Sequence, residues 1–220
     1  MRYFSIFFLL VATPCLAQLR EPPAAFTIAR LKYDGGGDWY NGPTEIPNLL
    51  AFIRQHTPIH TAKQEAQVAL TDEHLFAYPV LFLTGHGNIR FSEDEIRRLR
   101  TYLERGGFLF ANDDYGLDQS FRREIERAFP DKKMVQLPPS FDLFKTPFHF
   151  PNGLPKIHEH DGDPPQAYGL FHEDRLVVFY NVSSDIADGW DDPNVHNDPP
   201  QKRQEALKMG TNVIVWALTH

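Results

Sequence analysis

Residues Tyr78 to Gly116 constrain the fold more than any other stretch of the chain. They read YPVLFLTGHG, then NIRFSEDEIRRLRTYLERGG, then FLFANDDYG. Val80 to Thr84 is a short apolar run without alternation, the pattern of a strand covered on both faces. Ser92 and Glu95 form the two halves of a capping box. Ile96, Leu99 and Leu103 then recur at helical spacing with Tyr102 beside them, while Arg97, Arg98, Arg100 and Glu104 face water. Gly106 and Gly107 stop the helix, and Phe108 to Ala111 reads as a second buried strand. Strand, helix and strand at this length predict a right-handed crossover between parallel strands. Ligands of open parallel sheets bind beyond the carboxyl ends of the strands. Here those ends carry Gly85, His86 and Gly87, and Asn112, Asp113, Asp114 and Tyr115.

The length of 220 residues suits one α/β domain, with no internal repeat and no second domain. A hydrophobic content of 42% with 18 Phe marks a globular chain. The net charge of −7 gives a nucleic-acid role no electrostatic support. Met1 to Ala17 has the pattern of a secretory signal: Arg2, an apolar run from Phe4 to Ala12, and small residues before the cut. The alternatives are an uncleaved anchor and lipidation at Cys15, which Pro14 disfavours. Cleavage after Ala17 removes Cys15, the only cysteine, and predicts a periplasmic or secreted protein of residues 18–220 with no transmembrane helix, disulfide or thiolate.

The rest of the chain supports the same class. Phe26 to Tyr33 reads as the first strand, opening into the glycine-rich loop DGGGDWYNGP. Thr44 to His56 reads as a helix with Pro47 in its first turn. Gln67 to Leu70 is an edge strand, Asp72 to Phe76 a helical turn, Ser120 to Phe129 a helix and Met134 to Leu137 a further strand. Pro138 to Pro165 lacks periodicity and reads as a surface excursion or a lid. Ala167 to His172 and Arg175 to Tyr180 form a hairpin turning at Glu173-Asp174. Asn181 to Pro200 is acidic and irregular, and Gln204 to Leu218 closes the domain as a helix.

Three stretches in order, ARLKYDGGGDWY from Ala29, the Tyr78 to Asp114 unit and RLVVFYNVSSDIADGW from Arg175, resemble a bacterial family designated domain of unknown function 4159. The resemblance implies a three-layer, flavodoxin-like sheet of the class I glutamine amidotransferase-like type, mostly parallel with a C-terminal β-hairpin. Active amidotransferases carry a cysteine at a sharp strand-to-helix turn. The matching place here holds Asn112, Asp113 and Asp114, so cysteine–histidine chemistry is not supported. The resemblance also implies partners among membrane-associated envelope proteins.

The loops after Tyr33, Thr84, Ala111 and Tyr180 are expected at one edge of the sheet. They would gather His86, Asp113 and Asp114 as acid–base candidates and Asp34, Asp38, Trp39 and Asp185 as ligand-binding ones. Carboxylates with a histidine suit a divalent cation or acid–base work. Trp39, Tyr40 and Trp190 suit stacking on a sugar. The structural alternatives are specific: Gly35 to Gly37 as a turn of positive φ, Asp113 or Asp114 as a helix cap, and Asp185 as a turn cap. His158, Glu159, His160 and Asp161 resemble a metal cluster but lack HExxH spacing. Asp188 to Asp198 is acidic enough for calcium but lacks the EF-hand spacing. No GxSxG is present. Two functions remain open: a ligand- or partner-binding module, and a hydrolase using the carboxylate–histidine cluster. The hydrolase could work with or without a divalent metal, and the cofactor stays open.

Overall fold

The computed structural model describes residues 25–158 and 161–220; the expected signal segment lies outside them. In chain order the elements are β1 (Ala29–Lys32), α1 (Glu45–His56), β2 (Ala66–Ala69), β3 (Val80–Leu83), α2 (Glu93–Glu104), β4 (Phe108–Asn112), α3 (Asp118–Ala128), β5 (Val135–Gln136), β6 (Gln166–His172), β7 (Arg175–Val182) and α4 (Pro200–Thr219). The strands form one sheet in the order β2-β1-β3-β4-β7-β6-β5. From β2 to β7 every pairing is parallel. β6 then pairs antiparallel with both β7 and β5. The sheet is therefore mostly parallel, and it ends in the expected hairpin, whose turn residues Glu173 and Asp174 both take positive φ.

Apolar side chains on both faces of the central strands explain why two helical layers are needed. Leu81, Leu83, Leu109 and Ala111 pack with Ile96, Leu99 and Leu103 of α2 and Phe121 and Ile125 of α3. Val80, Phe82, Phe108 and Phe110 pack on the other face with Ile46, Leu49 and Ile53 of α1 and Met209, Val213 and Ile214 of α4. The capping box at α2 is present: the Glu95 N–H donates to Ser92 Oγ at 3.3 Å, and the Ser92 N–H donates to Glu95 Oε2 at 2.8 Å.

Two expectations need correction. The described part of residues 138–165 is not a loose surface excursion, since apolar side chains anchor it, and Asp161 and Asp163 near its end line a cleft. Leu143, Phe144, Leu154 and Ile157 are buried in the core under α4. Asn212 of α4 binds this segment by its side chain, donating to the carbonyls of Leu143 and Phe148 at 2.9 and 2.7 Å. Trp190 is not available for stacking. It is fully buried, it lies 5.4 Å from the Phe82 ring and 5.6 Å from the Phe110 ring, and its indole N–H donates to the Ala206 carbonyl at 2.9 Å. Among the described residues, no helix is long and apolar enough to cross a membrane.

Candidate functional site

The strand order builds the site. β1 lies between β2 and β3, so the chain leaves β1 to one side and later returns on the other. At such a switch the loops beyond the carboxyl ends diverge and leave a crevice. The loop after β1 and the loop after β3 meet there. Tyr33 Oη donates to the Thr84 carbonyl at 2.9 Å, and the Gly37 N–H donates to the Asn88 carbonyl at 3.0 Å. The glycines serve this contact. Gly35 has φ +118°, and a Cβ there would lie 2.7 Å from the Arg90 nitrogen. Gly85 has φ +132°, and a Cβ there would lie 2.5 Å from Tyr33 Oη.

The contact delivers Asp38 from one loop to His86 on the other. Asp38 Oδ1 accepts the His86 backbone N–H, and Asp38 Oδ2 lies 3.1 Å from His86 Nδ1. The imidazole is thus held at one nitrogen and by its own backbone, while its side chain is 44% exposed. Asp114 Oδ2 lies 3.7 Å from the same nitrogen. One donor atom each from Asp38, His86 and Asp114 falls within 4.8 Å of the others, a spacing that suits a divalent ion as well as a proton.

Asp114 is buried, and polar donors hold it. Thr84 Oγ1 donates to its Oδ1 at 2.6 Å, Asn112 Nδ2 to the same oxygen at 2.8 Å, and Asn41 Nδ2 to its Oδ2 at 3.0 Å. Burial, followed by the neighbouring Asp185 carboxylate, pushes its pKa up to about 7. Asn112 is the hub of this network. It also donates to Asp185 Oδ1 at 2.9 Å, and its own oxygen accepts from Asn181 Nδ2 at 2.8 Å. Asp185 Oδ1 in turn accepts the N–H groups of Ala187 and Asp188, each at 3.0 Å, which caps the turn before Trp190.

Asp113 points the other way. Its Oδ1 accepts the Leu117 N–H at 2.9 Å at the start of α3, and its Oδ2 lies 3.3 Å from Tyr180 Oη. Burial pushes its pKa up to about 6. Beside it opens a cleft of about 500 Å³ lined by Asp113, Asp114, Asp118, Asp161 and Asp163, with Arg122 as the cation among them. His86 stands at its margin, since its backbone bridges to Tyr115 on the cleft wall.

The structure therefore brings together Asp38, His86, Asp114 and Asp185, with Asp113 adjoining. It does not bring in Asp34 or Trp39. The Asp34 backbone bridges to Arg90, and the residue lines a separate cleft with Arg123 and Arg127. Trp39 packs against the core, with Lys32 Nζ 5.6 Å from its ring centre. Of the run from His158 to Asp161, Asp161 pairs with Lys156 at 3.3 Å, and Glu159 and His160 lie outside the described residues. Sequence reasoning gave no role to Asn41 or Thr84, and placed Asn112 at the strand end without one; all three determine where the carboxylates point. It also missed Arg30. This buried arginine donates to the Asn41 and Gly42 carbonyls at 2.6 and 2.9 Å, and so holds the loop that carries Asp38. A charged residue inside an otherwise buried strand was its available signal.

A family model described as domain of unknown function (DUF4159) matches residues 27–218. No curated protein matches the chain.

Proposed function

Since the chain belongs to the DUF4159 family, whose description assigns no activity, we propose a function from the site itself. The protein is a ligand-binding domain that works outside the cytoplasm, taking a small cationic or hydroxyl-rich molecule on the acidic carboxyl edge of its sheet. The observation that carries this reading is the cleft wall, with five aspartates and one arginine. Such a wall attracts cations and offers acceptors to hydroxyl groups. The turn after β4 supports it, because Asn112, Asp113 and Asp114 are all engaged in hydrogen bonds that shape the edge. The signal-like Met1 to Ala17 supports the location, and the family resemblance makes an envelope assembly the natural setting.

A thermal-shift screen tests it, with spermidine, glucosamine and Ca²⁺ as probes on the full chain and on the double variant Asp118→Asn with Asp163→Asn. At least one probe is expected to raise the melting temperature of the wild-type chain and not that of the variant. Equal shifts in both, or none, would contradict the reading.

A second reading, a hydrolase, rests on His86 held by Asp38 beside a carboxyl group that titrates near neutrality. Turnover of p-nitrophenyl esters, phosphates or glycosides that disappears in His86→Ala would replace the binding reading.

A further inference from the structure

We infer that His158, Asp188 and His196 form a binding site for a divalent transition-metal ion of the zinc class, made of other donors than the His86 cluster and adjoining it through Asp185. The three residues come from two connections: His158 from the one between β5 and β6, and Asp188 and His196 from the one between β7 and α4. Their side chains converge. His158 Nδ1 lies 3.6 Å from Asp188 Oδ2, and His196 Nε2 lies 3.2 Å from Asp188 Oδ1. The two imidazole centres are 5.3 Å apart, and one donor atom from each of the three residues falls within 4.8 Å of the others. An ion with bonds of 2.0–2.1 Å holds tetrahedral donors about 3.3 Å apart, and each imidazole lies near that distance from one of the two Asp188 oxygens.

The surrounding charge points the same way. Asp188, Asp191 and Glu45 are all buried, and one carboxylate oxygen from each falls within 4.8 Å of the others. Arg30 answers one oxygen of Glu45 at 3.3 Å, while Glu45 Oε1 has no hydrogen-bond partner among the described residues. Buried carboxylates packed this closely are costly without a compensating cation. Asp191 Oδ2 also lies 3.2 Å from His196 Nε2, so this carboxylate flanks the proposed ion on one side. Imidazole nitrogens select a borderline transition ion over Ca²⁺ or Mg²⁺, which prefer all-oxygen shells. Both histidines are partly exposed, so three protein donors leave a coordination position open to solvent. The bound ion would also fasten the β5–β6 connection to the β7–α4 connection.

The test uses the full chain without a polyhistidine tag, stripped with a chelator and then titrated with Zn²⁺ and with Co²⁺. The expected result is one retained equivalent of zinc, and a visible Co²⁺ absorption that His158→Ala and His196→Ala abolish and His86→Ala preserves. Excess Ca²⁺ should not displace the ion. Anomalous scattering at the zinc edge from crystals of the unmodified chain locates the ion without any substitution, and a peak between His158 and His196 is expected. No retained zinc, a Co²⁺ spectrum unchanged in both histidine variants, or an anomalous peak at His86 instead would overturn the inference.

Discussion

Asp114 is buried where its charge is costly, and that has a consequence for stability. Its folded pKa is pushed up to about 7, from an ordinary 3.8. The folded state therefore binds more protons than the unfolded one between these values, so stability falls as pH rises through that window. Unfolding free energy should therefore drop from pH 5 to pH 7. Asp114→Asn keeps an oxygen to accept from Thr84 and Asn112 and carries no charge. Its denaturation midpoint should depend less on pH than that of the wild-type chain, which urea titrations at the two pH values would show. The candidate carboxylates were legible in the sequence as residue types, but their roles were not. Asp113 and Asp114 are adjacent, yet one accepts the Leu117 N–H just before α3 and the other enters the Asn112 network. Only the direction of each side chain separates them, and that direction is set by Thr84 and Asn41 from other loops.

At the scale of elements, the sequence was readable wherever a helix or strand carried its own periodic signal. The β3–α2–β4 unit follows from burial pattern, capping box and glycine stop, and all three are present. Residues 138–165 failed the same reading because their buried side chains, Leu143, Phe144, Leu154 and Ile157, follow no helical or strand period. They are apolar anchors under α4, fixed by tertiary contacts. The acidic segment before α4 hid Trp190 for a related reason, since a lone tryptophan among aspartates looks exposed. Helix α4 now depends on that tryptophan. A Cβ on Gly210 would lie 2.6 Å from Trp190 Cζ2 and 2.9 Å from Leu49 Cδ1. Intrinsic propensity favours Gly210→Ala by about 0.5–1 kcal/mol, while overpacking a rigid ring costs about 1–3 kcal/mol. The substitution should therefore lower the melting temperature despite being helix-favouring.

At the scale of the whole molecule, topology decides where function is placed. The parallel strands run β2-β1-β3-β4-β7, an order shared with flavodoxin-like doubly wound sheets. The crevice falls between β1 and β3, and Asp38 and His86 flank it. The fold class was legible from the central unit, but the switch point was not, because strand order depends on which side each crossover takes. The net charge of −7 is unevenly used, with aspartates crowding this one edge. The central claim is that this acidic edge binds a ligand. Backbone ¹⁵N–¹H NMR of the full chain, titrated with spermidine and glucosamine, tests it most directly. The account predicts saturable shifts concentrated at His86, Asp113 to Asp118, Asp163 and Ser183, with the separate cleft at Arg90 and Arg123 unchanged. Shifts absent, unsaturable or centred on Arg90 would contradict it.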